Sequence, residues 1–111
     1  MKILLTGGAG YIGTHTAVAL IESGHEIVIA DNFSNSSHLV IERLEDISKI
    51  KIKHYQVDIA DQSELKKICE KEAFAGVIHL AGLKAVAESV EKPLLYYKVN
   101  ISTTLSLCAV M

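Results

Sequence analysis

The feature that most restricts the fold is Gly7-Gly8-Ala9-Gly10-Tyr11-Ile12-Gly13, a glycine run wedged between an apolar stretch and an amphipathic one. Ahead of it, Ile3-Leu4-Leu5-Thr6 reads as a strand covered on both faces, because no charged residue interrupts it. Behind it a helix is expected from Tyr11 to Ser23, with Gly13, Ala17, Leu20 and Ile21 on one face and Gly24 as its stop. A strand, a tight turn and a helix in that order let a backbone approach a diphosphate. At the spacing Gly7-x-x-Gly10-x-x-Gly13, the first glycine permits the turn. The second leaves free the space that a Cβ would take from a phosphate, and the third lets the helix close against the sheet. Unsatisfied amides and the positive end of the helix dipole favour the anion.

Apolar runs and helical patterns alternate down the rest of the chain, as in βα units around a parallel sheet. Ile27 to Ala30 form the second strand, closed by Asp31, and Asn32 to Ser37 form a polar loop. A helix from His38 to Ser48 has Leu39, Ile41, Leu44 and Ile47 partly in register. Ile50 to Val57 alternates apolar and polar residues, which suggests an edge strand. Asp61 caps the next helix with Glu64 in capping-box position, and Leu65, Ile68, Cys69 and Glu72 follow at helical spacing. Gly76 to Leu80 form a fourth strand, and Pro93 opens a last helix striped by Leu94, Tyr97, Ile101, Leu105 and Cys108. The expected architecture is α/β: a partial Rossmann fold, its parallel sheet of about four strands in the order 3-2-1-4 with helices on both faces.

Among 111 residues, 50% are apolar and 22% charged, with a net charge of -2, so the chain is globular and is one domain or a piece of one. No basic patch points to nucleic acid, and no apolar run approaches the length of a signal core or a membrane span. Cys69 and Cys108 are too few for a disulfide framework and too far apart for a metal pair. Both are read as buried, reduced thiols, in keeping with a cytoplasmic setting. The apolar pattern runs to Met111 without a cap. The chain is therefore expected to be the amino-terminal part of a larger domain.

Candidate ligand groups cluster at strand ends. Asp31, 18 residues beyond Gly13, stands where a carboxylate accepts from adenosine ribose hydroxyls and repels a 2′-phosphate, which favours NAD over NADP. Its bland alternative is a turn cap beside Asn32. Asp58 either accepts from an adenine amino group or caps a turn. Ala81-Gly82 after the fourth strand suggests close approach of a ligand. Lys84 either faces the cofactor or is an ordinary solvated lysine. His15, His25, His38 and His54 show no metal spacing, and His79 reads as a satisfied, buried histidine.

Thr6-Gly7-Gly8-Ala9-Gly10-Tyr11-Ile12-Gly13 resembles the extended short-chain dehydrogenase/reductase superfamily. Asp31-Asn32-Phe33-Ser34-Asn35-Ser36, Val57-Asp58-Ile59 and above all His79 to Val90, continued by Pro93-Leu94-Leu95-Tyr96-Tyr97, resemble its UDP-glucose 4-epimerase family. The resemblance spans the whole chain. It implies that the Tyr11 and Ile12 amides meet the diphosphate, Asp31 to Ser36 the adenosine ribose, and Asp58 and Ile59 the adenine. It also implies that Leu80, Ala81, Gly82, Leu83 and Lys84 line the nicotinamide half. A polar residue near the middle of the last helix contacts cofactor in some members. Its nearest match here is Asn100, since Val99 has no polar side chain, and Thr103 stands where the family often has Gly.

The implied parent reaction interconverts UDP-galactose and UDP-glucose. A tyrosine takes the proton of the sugar 4-hydroxyl while hydride passes to NAD, and the 4-keto sugar turns over before hydride returns. The family's catalytic Ser and Tyr-x-x-x-Lys are expected beyond Met111, with the substrate domain, so this chain alone is expected to be inactive. The parent family is usually dimeric through the helix starting near Pro93 and its successor. The rival readings are a nucleotide-sugar 4,6-dehydratase, distinguished by Leu83-Lys84-Ala85-Val86, and a non-catalytic NAD-binding module.

Overall fold

A computed structural model describes residues 1–111. Its elements run β1 (Lys2–Thr6), α1 (Tyr11–Glu22), β2 (Glu26–Asp31), α2 (Leu39–Ser48), β3 (Lys53–Gln56), α3 (Gln62–Glu72), β4 (Gly76–His79), α4 (Val86–Glu91) and α5 (Pro93–Val110). The four strands are parallel and lie in the order β3-β2-β1-β4, the order read from the sequence. Leu5 pairs with Ile29 of β2 and Ile78 of β4, and Ala30 pairs with Tyr55 of β3.

Side chains of a strand alternate between faces, and both faces here are covered. Ile3, Leu5, Ile27 and Ile29 pack with Ala17 of α1 and Ile41 and Leu44 of α2. Leu4, Val28 and Ala30 pack on the other side with Ile59, Leu65 of α3 and Leu107 of α5. Leu4, Leu5, Val28 and Ile29 are fully buried, each worth roughly 1.5–3 kcal/mol relative to exposure. That double burial is why β1 and β2 read as unbroken apolar runs. β3 is the edge strand its alternation suggests, although it begins only at Lys53. Ile52 is buried and Ile50 exposed.

Local signals hold at α3. Asp61 accepts from the Glu64 amide at 3.1 Å. The reciprocal half of a capping box is missing, because the Glu64 carboxylate pairs with Lys67 instead. At the opposite end of the sheet, buried Glu72 accepts from Lys53, from the Tyr55 hydroxyl at 2.5 Å and from Lys2 at 3.1 Å. Lys53 foremost, then Tyr55 and Lys2, hold the Glu72 carboxyl down at about 2.

Three expectations are corrected. On α2, Leu39 and Ile47 are exposed, and the inward face is Val40, Ile41 and Leu44. On α5 the stripe of Leu94, Tyr97, Ile101, Leu105 and Cys108 points outward, while Tyr96, Thr103 and Leu107 face in. This helix carries apolar residues around most of its girth, so no single stripe marks its inner face. Cys108 is consequently exposed, and Cys69 only half-buried. The short α4 was not read from the sequence. It buries no residue and ends where Lys92 leaves helical geometry before Pro93. No helix is long and apolar enough to cross a membrane.

Candidate functional site

The carboxyl ends of β1, β2 and β4, with the segment after β3, surround one cleft. Gly7 and Gly10 form one wall, Asp31, Asn32 and Ser34 to Ser36 another. Val57 to Ile59 lie beneath, and Leu80 to Leu83 with Val99 and Thr103 of α5 close the far side.

The turn is built from glycines that do different things. Gly7 has φ +68°, and a Cβ on it would lie 2.5 Å from the Ala81 amide nitrogen, so β4's exit crosses directly over the turn. A Cβ at Gly13 would lie 2.6 Å from the Gly7 carbonyl oxygen and from Gly8 Cα. Gly13 therefore admits the turn itself, a closer neighbour than the sheet expected from sequence. At Gly10 a Cβ would meet only the Gly7 carbonyl oxygen, at 3.4 Å.

Gly10 precedes α1 without any side-chain cap, and no acid lies in the helix's first turn. The amides of Tyr11, Ile12 and Gly13 have no protein acceptor. The side chains of Tyr11 and Ile12 are 82% and 60% exposed, so what these residues offer a ligand is their free amides.

Asp31 joins the two walls. Its Oδ2 accepts from the Ala9 amide at 3.0 Å, and its Oδ1 from the Phe33 amide at 2.9 Å. The carboxylate thus caps its own turn and grips the glycine turn as well. With one N–H on each oxygen, about two further lone-pair sites remain. Phe33 follows at φ +57°, a left-handed conformation that costs a bulky residue about 1–2 kcal/mol. Its ring turns out of the cleft and stacks on His38, centroids 4.0 Å apart. That leaves the loop's polar members, Ser34, Asn35 and Ser36, to line the cleft. Asp58 caps its own turn, accepting from the Ala60 amide at 2.9 Å, and is exposed at the cleft.

Beyond β4, Asn100 explains Gly82. The Asn100 Oδ1 accepts from the Leu83 amide at 2.8 Å, and its Nδ2 donates to the Leu83 carbonyl at 3.0 Å. A Cβ on Gly82 would sit 2.9 Å from that Oδ1. The close approach read at Gly82 is therefore made by Asn100, a residue of the chain itself. Tyr11, Ile12, Gly13, Phe33, Lys84 and Asn100 stand beside the cleft without lining it, and the Lys84 Nζ donates to the Leu80 carbonyl at 2.6 Å. Val57, Val99 and Thr103 line it and were not singled out as ligand-facing. Nothing in their residue types marks them, since their helical or strand face is settled only by packing.

The chain matches the family model described as GDP-mannose 4,6 dehydratase over residues 4–111. The chain belongs to that family of extended short-chain dehydrogenase/reductases. It is 49% identical over 109 residues to the UDP-glucose 4-epimerase of Schizosaccharomyces pombe, covering 98% of this chain and 31% of that protein. It is 47% identical over 111 residues to the UDP-glucose 4-epimerase of Bacillus subtilis, covering 100% and 33%. The UDP-glucose 4-epimerase of Bifidobacterium longum, solved with NAD+ and UDP, superposes with a TM-score of 0.98 at 42% identity, covering 100% and 33%. The enzyme of Stenotrophomonas maltophila, solved with NAD and formylated UDP-arabinopyranose, gives 0.97 at 40%, with the same coverage. The chain spans about a third of the length of each.

Proposed function

We propose that residues 1–111 are the amino-terminal part of the NAD-binding domain of a UDP-glucose 4-epimerase. The observation that carries this reading is the convergence of Gly7, Gly10 and the Asp31 carboxylate on one cleft, with the uncapped start of α1 directly after Gly10. Those groups fit a dinucleotide: amides for a diphosphate, an acid with spare lone pairs for ribose hydroxyls. In this reading Gly7, Gly10 and Gly13 shape the diphosphate turn, and Asp31, Asn32 and Ser34 to Ser36 hold the adenosine ribose, with Phe33 bracing their loop. Asp58 and Ile59 take the adenine, and Leu80 to Lys84, braced by Asn100, take the nicotinamide half. NAD supplies a hydride acceptor when bound.

The parent enzyme interconverts UDP-galactose and UDP-glucose through a 4-keto sugar, in the cytoplasm, as a homodimer. The exposed Leu94-to-Cys108 stripe of α5 supports the dimeric assembly. The chain contains no Tyr-x-x-x-Lys, so it is inactive by itself for want of a general base. The family model carries a dehydratase's name, yet epimerases are the relatives matched at 47–49% identity.

Titration calorimetry of this chain with NAD and with NADP tests the reading. NAD binding with weaker or absent NADP binding supports it, and equal affinity for both overturns the role of Asp31. Incubation with UDP-galactose and NAD is expected to give no UDP-glucose above blank.

A further inference from the structure

β1, β4 and α5 meet at a short chain of hydrogen bonds that the cofactor contacts do not account for. The Thr6 hydroxyl, fully buried at the end of β1, lies 2.6 Å from the Nδ1 of His79, the last residue of β4. The His79 Nε2 lies 3.3 Å from the Thr104 hydroxyl on α5. That hydroxyl donates to the Asn100 carbonyl at 2.9 Å, so its one hydrogen is committed and it accepts from the imidazole. Nε2 therefore carries the proton, Nδ1 is bare, and Thr6 donates to it. The reverse assignment, with Nδ1–H donating to Thr6 and Thr104 donating to Nε2, would leave the buried Thr6 hydrogen without an acceptor.

The arrangement matters because of what α5 carries. His79 and Thr104 set α5 against the sheet edge. One turn back from Thr104, Asn100 grips both backbone groups of Leu83, and Val99 and Thr103 line the cleft. We infer that His79 is a positioning residue for the nicotinamide half of the site, acting as the neutral Nε2–H tautomer that ties β1, β4 and α5 together. It does not line the cleft, and it acts through Asn100 and the Gly82–Lys84 loop. The inference rests on the proposed NAD site.

Burial, followed by the nearby positive charge of Lys84, pushes the His79 imidazole below the usual histidine range. A proton on Nδ1 would confront the buried Thr6 hydroxyl with a second donor.

Long-range proton–nitrogen correlation spectra of this chain read the tautomer directly. The expected result is a bare Nδ1 and a protonated Nε2, with the ring staying neutral to below the usual histidine range. An Nδ1–H tautomer, or titration of His79 within the usual histidine range, overturns the inference. His79→Ala is then expected to weaken NAD binding about tenfold while leaving AMP, which carries only the adenosine half, unchanged. His79→Asn, which keeps an acceptor for Thr6, recovers part of that loss. Equal losses for NAD and AMP overturn the positioning role. Failure of the unsubstituted chain to bind NAD overturns the cofactor reading and the inference with it, whatever tautomer is seen.

Discussion

Gly10→Ala and Gly13→Ala, three residues apart, are expected to fail in opposite ways. Gly10 sits at φ -76° and ψ 174°, open to any residue, and its new methyl would meet one atom at 3.4 Å. Losing a glycine's unfolded-state freedom stabilises by about 0.4–1 kcal/mol, and alanine's poorer capping offsets about as much, so folding should be nearly unchanged. The methyl would, however, occupy the approach of the diphosphate. A forced methylene costs about 1–3 kcal/mol, or roughly a 5- to 150-fold loss of NAD affinity.

At Gly13 the methyl would press on two backbone atoms at 2.6 Å, and ordinary contact begins 0.8 Å farther out, at 3.4 Å. The turn has no room to retreat, because Gly8 already lies against Leu5 and Ile29, where its own Cβ would be 3.0 Å from each. Overpacking of about 3 kcal/mol outweighs the roughly 1 kcal/mol that alanine gains within a helix. The net destabilisation, about 2 kcal/mol, lowers Tm by roughly 10 °C in a domain of this size. Urea titration and calorimetry on the two variants decide it. A Gly13→Ala chain as stable as its parent, or a Gly10→Ala chain that binds NAD as tightly, would refute the reasoning.

Asp31→Asn removes the charge that repels a 2′-phosphate, so the ratio of NADP to NAD dissociation constants should fall severalfold in calorimetry. Glu72 has a depressed carboxyl, so its contribution to stability is complete above about 4.5, its ordinary value, and is lost as pH falls toward about 2. Urea midpoints should therefore drop more steeply between about pH 5 and about pH 3, the upper part of that window, in the parent than in Glu72→Gln. Exposed Cys108 should react with a thiol reagent within the folded chain. Half-buried Cys69, its thiol pushed up by burial, should react only slowly until urea is added.

What could be read without coordinates was whatever backbone geometry dictates. The glycine turn, the unbroken runs of β1 and β2 and the Asp61 cap each depend on a residue type that few others can replace. The strand order followed from them. Asp31 was legible because it closes the strand beside the turn, although its bond to Ala9 was not. α5 was misread because an inward face is legible only when the outward face is polar. Its Leu94, Tyr97 and Ile101 are as apolar as anything it buries. Asn100 was read by analogy as a ligand contact, and its bonds to both backbone groups of Leu83 were not legible. An asparagine's partners depend on which loop lies across it.

The bond between Ala9 and Asp31 makes the two ends of the cleft a single mechanical part. Whatever displaces the acid must also tug on the glycine bend, and a bend distorted by a bulky neighbour would swing the acid out of line. Damage to one recognition element should therefore surface as lost discrimination at the other. Because this tie forms during folding, a ligand arriving at the cleft would meet a frame already set and need spend little of its interaction on ordering it.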